Sequence, residues 1–370
     1  MEPIQLAERE TRKRQRVQTP VIDCDIHNAF PSNETLYKYL PARWRRHHET
    51  IGLRGHYGGH YPRAMKNAAR HDAWPPNGLP PGSDLAFMRA QLLDAWDLEY
   101  GILNPLLGAG GQLNLEFGAA LARATNEWQL AEWVEPEPRL RASIVVPYED
   151  GALAAQEIER WGGHPGFVQV LLIARTAEPL GRRKYWPIYE AAVRHDLPIG
   201  IHFGGAGGGP ITGAGFPSHY IEDHAGMPQA FQAQVISLVC EGVFERFPTL
   251  KIVLIEGGFA WLPPLAWRLD QSWRRLKEEV PYLRRAPSEY IHEHFWITTQ
   301  PMEEPPKGRF FRQLLEQLNA DDRLMFATDY PHWDFDAPDR AFPVELPPAL
   351  KRKIMAENAR ALYKLAPRHL

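Results

Sequence analysis

The sequence predicts an α/β fold, a closed (β/α)8 TIM barrel with long insertions after strands one and five. Three observations carry that expectation. Eight short apolar segments begin near residues 21, 101, 142, 167, 198, 251, 295 and 324, and most are followed by apolar residues at helical spacing. Such alternation points to a parallel sheet. Ionisable side chains collect at the C-terminal ends of these segments, where a barrel carries its chemistry. The alternative, an open doubly wound sheet, would want a glycine-rich turn after the first strand, and Asn28 to Pro31 does not provide one.

The first strand is read from Val21 to Asn28, with Val21, Ile22, Cys24 and Ile26 supplying the apolar content of a strand covered on both sides. Strict alternation puts Asp23, Asp25 and His27 on one face. A long segment over 29–83 follows, expected as an inserted lid or binding loop. It opens with a helix predicted over 34–48 and contains His56, His60 and His71, read as surface or lid residues. Asp84 is placed to N-cap a helix through Leu85, Met88, Leu92 and Trp96. Strands are then expected over 100–107, 142–148 and 167–174, with helices over 115–133, 150–161 and 185–195 between and after them. Past the strand at 198–203 comes a second long loop, 204–227, rich in glycine. Helices over 228–247, 261–280, 308–318 and 348–365 alternate with strands at 251–256, 295–299 and 323–329. Residues 1–20 form a polar tail ahead of a single domain over 21–370.

The 370 residues carry a net charge of −3 with no basic stripe, which argues against nucleic acid as a partner. No apolar run approaches the length of a membrane span, and the N-terminal stretch lacks the apolar core of a secretory signal. Cys24 and Cys240 lie in apolar surroundings and read as reduced thiols, which suits a cytoplasmic protein.

At the strand ends the sequence places Asp25 and His27, Asn104, Tyr148, His202, Glu256, Thr299 and Gln300, and Asp329 followed by His332. A packed rim needs Val and Leu there. Two imidazoles and two carboxylates converging on one axis instead suit a borderline divalent ion, zinc or manganese, with Asp25, His27, His202 and Asp329 as its ligands. The blander readings are a packed barrel histidine for His202, a turn cap for Asp329 and a loop anchor for His332. His292 and His294 imitate a metal pair, but they precede the seventh strand and belong to the opposite end of the barrel. Ser218, His219, Asp223 and His224 lie in the glycine-rich loop and make no supported triad. The run 204–209 lacks the Lys-Ser/Thr of a phosphate loop.

Four segments, Ile22–His27, Ile199–His202, Ile255–Pro263 and Phe326–His332, together resemble the amidohydrolase-related group of the amidohydrolase superfamily. That branch includes aminocarboxymuconate-semialdehyde decarboxylase and aromatic-acid decarboxylases. The resemblance implies a TIM barrel, one divalent metal, a homodimer, and hydrolysis or non-oxidative decarboxylation of a small carboxylated or cyclic substrate. Two departures stand out. The group's first strand often carries His-x-His, where this chain has Asp25 and His27. Its sixth strand usually ends in an acid/base histidine, where this chain has Glu256.

The first functional expectation is a metal-dependent hydrolase of a lactone, amide or related carbonyl, with Asp329 or Glu256 accepting a proton from metal-activated water. The second is decarboxylation of an aromatic or unsaturated carboxylate, with Glu256 or His332 delivering a proton to carbon. The third is a non-catalytic barrel. Arg43, Arg45, Arg46, Tyr57, Tyr61, Trp74 and Trp333 are loop-side candidates for contact with an aromatic acid.

Overall fold

The computed structural model describes residues 19–54, 68–205, 207 and 209–368. The tail over 1–18 and the candidates His56, Tyr57, His60 and Tyr61 lie outside the described residues. Eight parallel strands run in sequence order: β1 Val21–Ile26, β2 Leu98–Leu103, β3 Leu140–Val145, β4 Phe167–Ile173, β5 Ile199–His202, β6 Ile252–Ile255, β7 Phe295–Thr298 and β8 Leu324–Met325. The barrel closes between β8 and β1, where Cys24 N donates to Phe326 O at 3.0 Å and His27 N to Tyr330 O at 2.7 Å. The expected barrel is therefore the observed one.

The helices used below are α1 Ala42–Ile51, α2 Leu115–Gln129, α3 Gly151–Trp161, α4 Trp186–Arg194, α5 Tyr220–Ala225, α6 Met227–Cys240, α7 Leu262–Leu276, α8 Pro287–His294, α9 Gly308–Leu318 and α10 Asn358–Tyr363. Among the described residues, no helix is long and apolar enough to cross a membrane. Local chemistry sets several boundaries. Asp150 caps α3 by accepting from Ala152 N and Leu153 N, both at 3.0 Å, and Asp84 accepts from Phe87 N at 2.9 Å, as expected. The helix expected over 34–48 is broken in two at Pro41, which has no N–H to donate to the preceding turn and stands instead at the N-cap of α1. The last strand is only two residues long. Its continuation, Phe326 to Asp329, is not regular strand but keeps backbone bonds to β1, at Phe326 O and Asp329 N, while it places side chains on the rim.

Two apolar layers flank the strands. The outer one packs Leu98, Ile144, Val170, Ile201, Leu254 and Phe326 against the helices. The other joins Ile22, Cys24, Ile102, Val253, Ile255 and Met325 to Leu362 and Tyr363 of α10. Members from β1, β2, β6 and β8 can share one cluster only inside the barrel, so α10 plugs its N-terminal end.

β1 breaks the predicted alternation. Ile22 and Cys24 belong to the interior cluster but Ile26 belongs to the outer one, and the β1–β2 register shifts between Asp23 and Ile26. The irregularity parts Asp23 from Asp25. Asp23 accepts from Thr328 N at 2.9 Å and from Thr328 Oγ1 at 2.5 Å, tying β1 to β8. Burial pushes its carboxyl up to about 7 despite those bonds.

The described part of the 29–83 insertion returns to the rim beside the loop after β8. Arg70 N donates to Pro331 O at 3.0 Å, Trp333 N to Ala68 O at 2.8 Å, and Ala29 N to Gly82 O at 2.9 Å. Gly82 has φ +73°, and a Cβ there would stand 2.3 Å from the carbonyl oxygen of His27. Gly78 has a similar φ, +77°, but open space around it. Gly78→Ala is expected to lose about 1–2 kcal/mol, the cost of a left-handed backbone, and Gly82→Ala about 3 kcal/mol or more because the clash adds to it. Urea unfolding of the two variants beside wild type reads the difference.

Candidate metal centre

Five side chains meet at the C-terminal mouth of the barrel: Asp25, His27, His202, Glu256 and Asp329. One ligand atom from each lies within 4.8 Å of all the others. Asp25, His202 and Asp329 are fully buried, and His27 and Glu256 are nearly so. The structure thus brings together all four residues read from the sequence as metal ligands and adds Glu256 to them.

Each group is aimed by the local fold. β1 supplies Asp25, with His27 just beyond its end, and His202 is the last residue of β5. Glu256 and Asp329 follow β6 and β8 with φ of +60° and +62°. A left-handed backbone is costly for a side-chain-bearing residue, so surrounding contacts must hold it. Glu256 N donates to Thr298 Oγ1 at 3.2 Å, and Asp329 N to Asp25 O at 3.1 Å.

The imidazoles are fixed in tautomer as well as position. His27 Nδ1 is 2.7 Å from Asn104 O, and His202 Nδ1 is 2.6 Å from Phe203 O. A carbonyl can only accept, so Nδ1 carries the hydrogen in both rings, and each neutral ring presents the Nε2 lone pair to the centre. Carboxylate oxygens face those lone pairs. His27 Nε2 is 2.8 Å from Asp329 Oδ1 and 3.5 Å from Asp25 Oδ1, and His202 Nε2 is 3.1 Å from Glu256 Oε2 and 3.3 Å from Asp25 Oδ2. His202 Nε2, Asp25 Oδ2 and Asp329 Oδ2 are buried without a hydrogen-bond partner.

Without a cation, only protons can relieve this crowding, and the titration behaviour shows where they go. Burial alone would lower the His27 imidazole, but Asp25 and Asp329 outweigh it and push it up to about 9. Burial, and then Asp329 and Asp25, hold the Glu256 carboxyl well above its ordinary range. Burial opposes ionisation of Asp329, yet His332 and His27 hold it well below the usual carboxylate range. A divalent cation would satisfy the orphaned oxygens and the orphaned imidazole nitrogen together. Three carboxylates and two imidazoles with free Nε2 atoms are a donor set that fits such an ion.

Behind the ligands lies a directed chain of buried hydrogen bonds. Tyr363 OH donates to Gln169 Oε1 at 2.9 Å. Gln169 Nε2 donates to Asn104 Oδ1 at 3.0 Å, as does Ser143 Oγ at 2.6 Å, and Asn104 Nδ2 donates to Asp25 Oδ1 at 2.9 Å. Asn104 therefore orients two candidate ligands, Asp25 through its side chain and His27 through its carbonyl. On the opposite side His332 Nδ1 contacts Asp329 Oδ1 at 2.8 Å, and its ring stacks on His27 at 4.4 Å.

The remaining candidates lie elsewhere. His294 Nδ1 bonds Leu250 O at 2.8 Å and His292 Nε2 meets Asn319 O at 3.0 Å, so the His-x-His pair is structural. His219 pairs with Glu222 at 2.9 Å on the surface. Arg43 lies over Trp44 at 4.3 Å, Arg45 pairs with Glu49 at 2.9 Å, and Arg46 is exposed on the same helix, α1. Trp333 does border the mouth region, with its ring 5.0 Å from that of His224. Sequence reading passed over Arg175, a buried cation directly after the apolar run of β4. The strand-end rule that found His202 would have found it too.

Comparison with known proteins places this geometry. Residues 22–365 match the family model described as Amidohydrolase. The chain is 30% identical over 323 residues to a gamma-resorcylate decarboxylase of Polaromonas sp., covering 78% of this chain and 93% of that protein. A gamma-resorcylate decarboxylase of Rhizobium radiobacter is 28% identical over 303 residues, covering 76% and 88%. Among solved structures, a 5-carboxyvanillate decarboxylase of Novosphingobium aromaticivorans complexed with manganese superposes with a TM-score of 0.70 at 22% identity, over 94% of this chain and 97% of that one. A 2,6-dihydroxybenzoate decarboxylase from Rhizobium gives 0.66 at 23% identity, over 94% and 99%.

Asn104→Ala would leave all five grouped side chains in place but free Asp25 of its donor. Its divalent-metal affinity is expected to fall about 10–100-fold, the usual cost of losing an orienting partner. Competition with a metal-binding dye measures it.

Proposed function

We propose that this chain, which belongs to the amidohydrolase family and is an enzyme of that superfamily, removes the carboxyl group of a hydroxylated aromatic acid without oxidation. The curated relatives that carry decarboxylase names support this second sequence reading over the first, hydrolysis. The observation in the fold that carries it is the placing of a further carboxyl, Glu256, against a buried set of donors that fits a divalent ion, with Oε2 3.1 Å from His202 Nε2.

Asp25, His27, His202 and Asp329 would hold one divalent ion, with Glu256 beside it. The carboxylate-rich set favours manganese over zinc, in keeping with the manganese found in the structurally similar 5-carboxyvanillate decarboxylase. Bound there, the ion would supply positive charge that holds an anionic substrate at the barrel mouth.

The chain's own residues do the rest. Glu256, in its acid form, delivers its proton to the ring carbon that bears the carboxylate. The bond from that carbon to the carboxylate then breaks, the electron pair returns to the ring, and carbon dioxide leaves. A proton from solvent restores Glu256. Asp329, held strongly acidic by His332 and His27, is suited to remain an anion throughout. His332 positions Asp329 through the 2.8 Å contact between Nδ1 and Oδ1. Nearby burial excludes water that would otherwise compete for the charge.

Release of carbon dioxide from 2,6-dihydroxybenzoate by manganese-loaded protein tests the reading, and its absence together with hydrolysis of a lactone would overturn it. Glu256→Gln is expected to retain the metal and to lose about 10²–10⁴-fold in decarboxylation rate. Because the working form of Glu256 is protonated, the wild-type rate should be full on the acid side of its titration in the metal-loaded protein. It should then fall as pH rises and Glu256 gives up that proton. A pH profile whose alkaline limb is unchanged in Glu256→Gln would contradict the role given to Glu256.

A further inference from the structure

Asp23 lies on the same strand as Asp25 and is fully buried, yet it is not one of the five clustered side chains. A buried carboxyl that meets no ion must find donors elsewhere. Three reach it. Oδ1 accepts from Asp25 N at 3.2 Å and from Thr328 N at 2.9 Å, and Oδ2 accepts from Thr328 Oγ1 at 2.5 Å. A setting made wholly of donors calls for a side chain that only accepts, and a short carboxylate is that side chain.

The donors are parts of the metal centre's own frame. Asp25 N is the backbone of a candidate ligand, and Thr328 directly precedes another, Asp329. Thr328 is fully buried too, and its hydroxyl accepts from Tyr330 N at 3.1 Å. The chain is therefore held on both sides of Asp329, at Thr328 by Asp23 itself and at Tyr330 through the Thr328 hydroxyl. Asp329 lies between them with φ +62°, a conformation its surroundings must impose. Tyr330 O in turn accepts from His27 N at 2.7 Å, and Asp25 O from Asp329 N at 3.1 Å. One carboxyl outside the cluster thus bears on three groups inside it, across the seam where β1 meets β8.

We propose that Asp23 and Thr328 are positioning residues that, without touching the ion, set the placement of Asp25 and Asp329 on which divalent-metal affinity depends. The inference rests on the reading of the cluster as a divalent-ion centre. A bond that only fastened the seam would stabilise the barrel and leave that affinity alone.

Two measurements separate the claim from the reading beneath it. The first is manganese binding by calorimetry, well below the melting temperature of each variant. Thr328→Val keeps the shape and the backbone bond but removes the hydroxyl that joins Asp23 to Tyr330. Thr328→Val and Asp23→Asn should each bind manganese at least about tenfold more weakly, as expected when a ligand loses its orienting partner. Thr328→Ser, which keeps the hydroxyl, should restore binding. Glu99→Gln is the control. Glu99 is a buried carboxyl of β2 that accepts from Arg360 Nε of α10 at 3.2 Å, at the far end of the barrel. Its loss should lower the melting temperature and leave manganese affinity unchanged. The second measurement is amide hydrogen exchange in metal-free protein, which needs no ion. The Tyr330 amide should exchange at least about tenfold faster in Thr328→Val and near the wild-type rate in Thr328→Ser. Wild type that binds no manganese but shows this exchange pattern would overturn the metal reading and uphold the hold on Asp329. Equal manganese affinity in wild type and folded Thr328→Val, or an equal loss in Glu99→Gln, would overturn the positioning role. If Asp23→Asn fails to fold, the Thr328→Val and Thr328→Ser pair decides alone.

Discussion

Two imidazole lone pairs pointed at carboxylate oxygens inside a closed barrel are the constraint on which the rest of the structure depends. Asn104 O and Phe203 O take the Nδ1 hydrogens of His27 and His202, so their Nε2 atoms have nothing to give to Asp25, Glu256 and Asp329. Buried like this, the cluster is tolerable only with extra protons or with a cation. The raised His27 and Glu256 groups show the proton solution. The unpartnered atoms of Asp25, His202 and Asp329 mark what a cation would bind.

The barrel is organised to hold that arrangement. Glu256, directly after β6, and Asp329, four residues past β8, sit in left-handed backbone, and the bonds their N–H groups donate to Thr298 Oγ1 and Asp25 O keep them there. A register shift in β1 separates Asp23, which fastens the barrel seam through Thr328, from Asp25, which serves the site. From the far end, Tyr363 of α10 begins a line of donors through Gln169 and Asn104 that ends on Asp25. Every bond in that line points its hydrogen toward the site, so the helix that plugs the barrel also stabilises a negative ligand.

Much of this was legible in the sequence. Strand-and-helix alternation is a local signal, and it placed the barrel and most of its strands. The strand-end rule found Asp25, His27, His202, Glu256 and Asp329, because in a barrel one end of every strand is the rim. What escaped were effects set by three-dimensional partners. Period-two alternation put Asp23 with Asp25, and only the shift against β2 parts them. Helical periodicity ran through Pro41, where the missing N–H divides the element. Arg175, just past the end of β4, was within reach of the strand-end rule, but its pairing with Asp223, 48 residues away, is not a local signal. The departure at Glu256 was visible, but its protonation depends on burial beside two other carboxylates, which no linear reading supplies.

The departure also shapes the chemistry. In the decarboxylase proposal, the carboxyl at the end of β6 would supply the one proton that removal of a carboxyl group from a ring consumes. The ligand cluster and that acid would then serve one reaction, and the central claim beneath it is the cation. The most direct measurement is the metal content of protein purified without a metal-affinity step, with thermal unfolding before and after chelation. About one divalent ion per chain, and a melting temperature that falls on chelation and recovers when manganese is restored, is the result this account predicts. A metal-free chain that takes up neither manganese nor zinc, and melts at the same temperature with and without them, would contradict it.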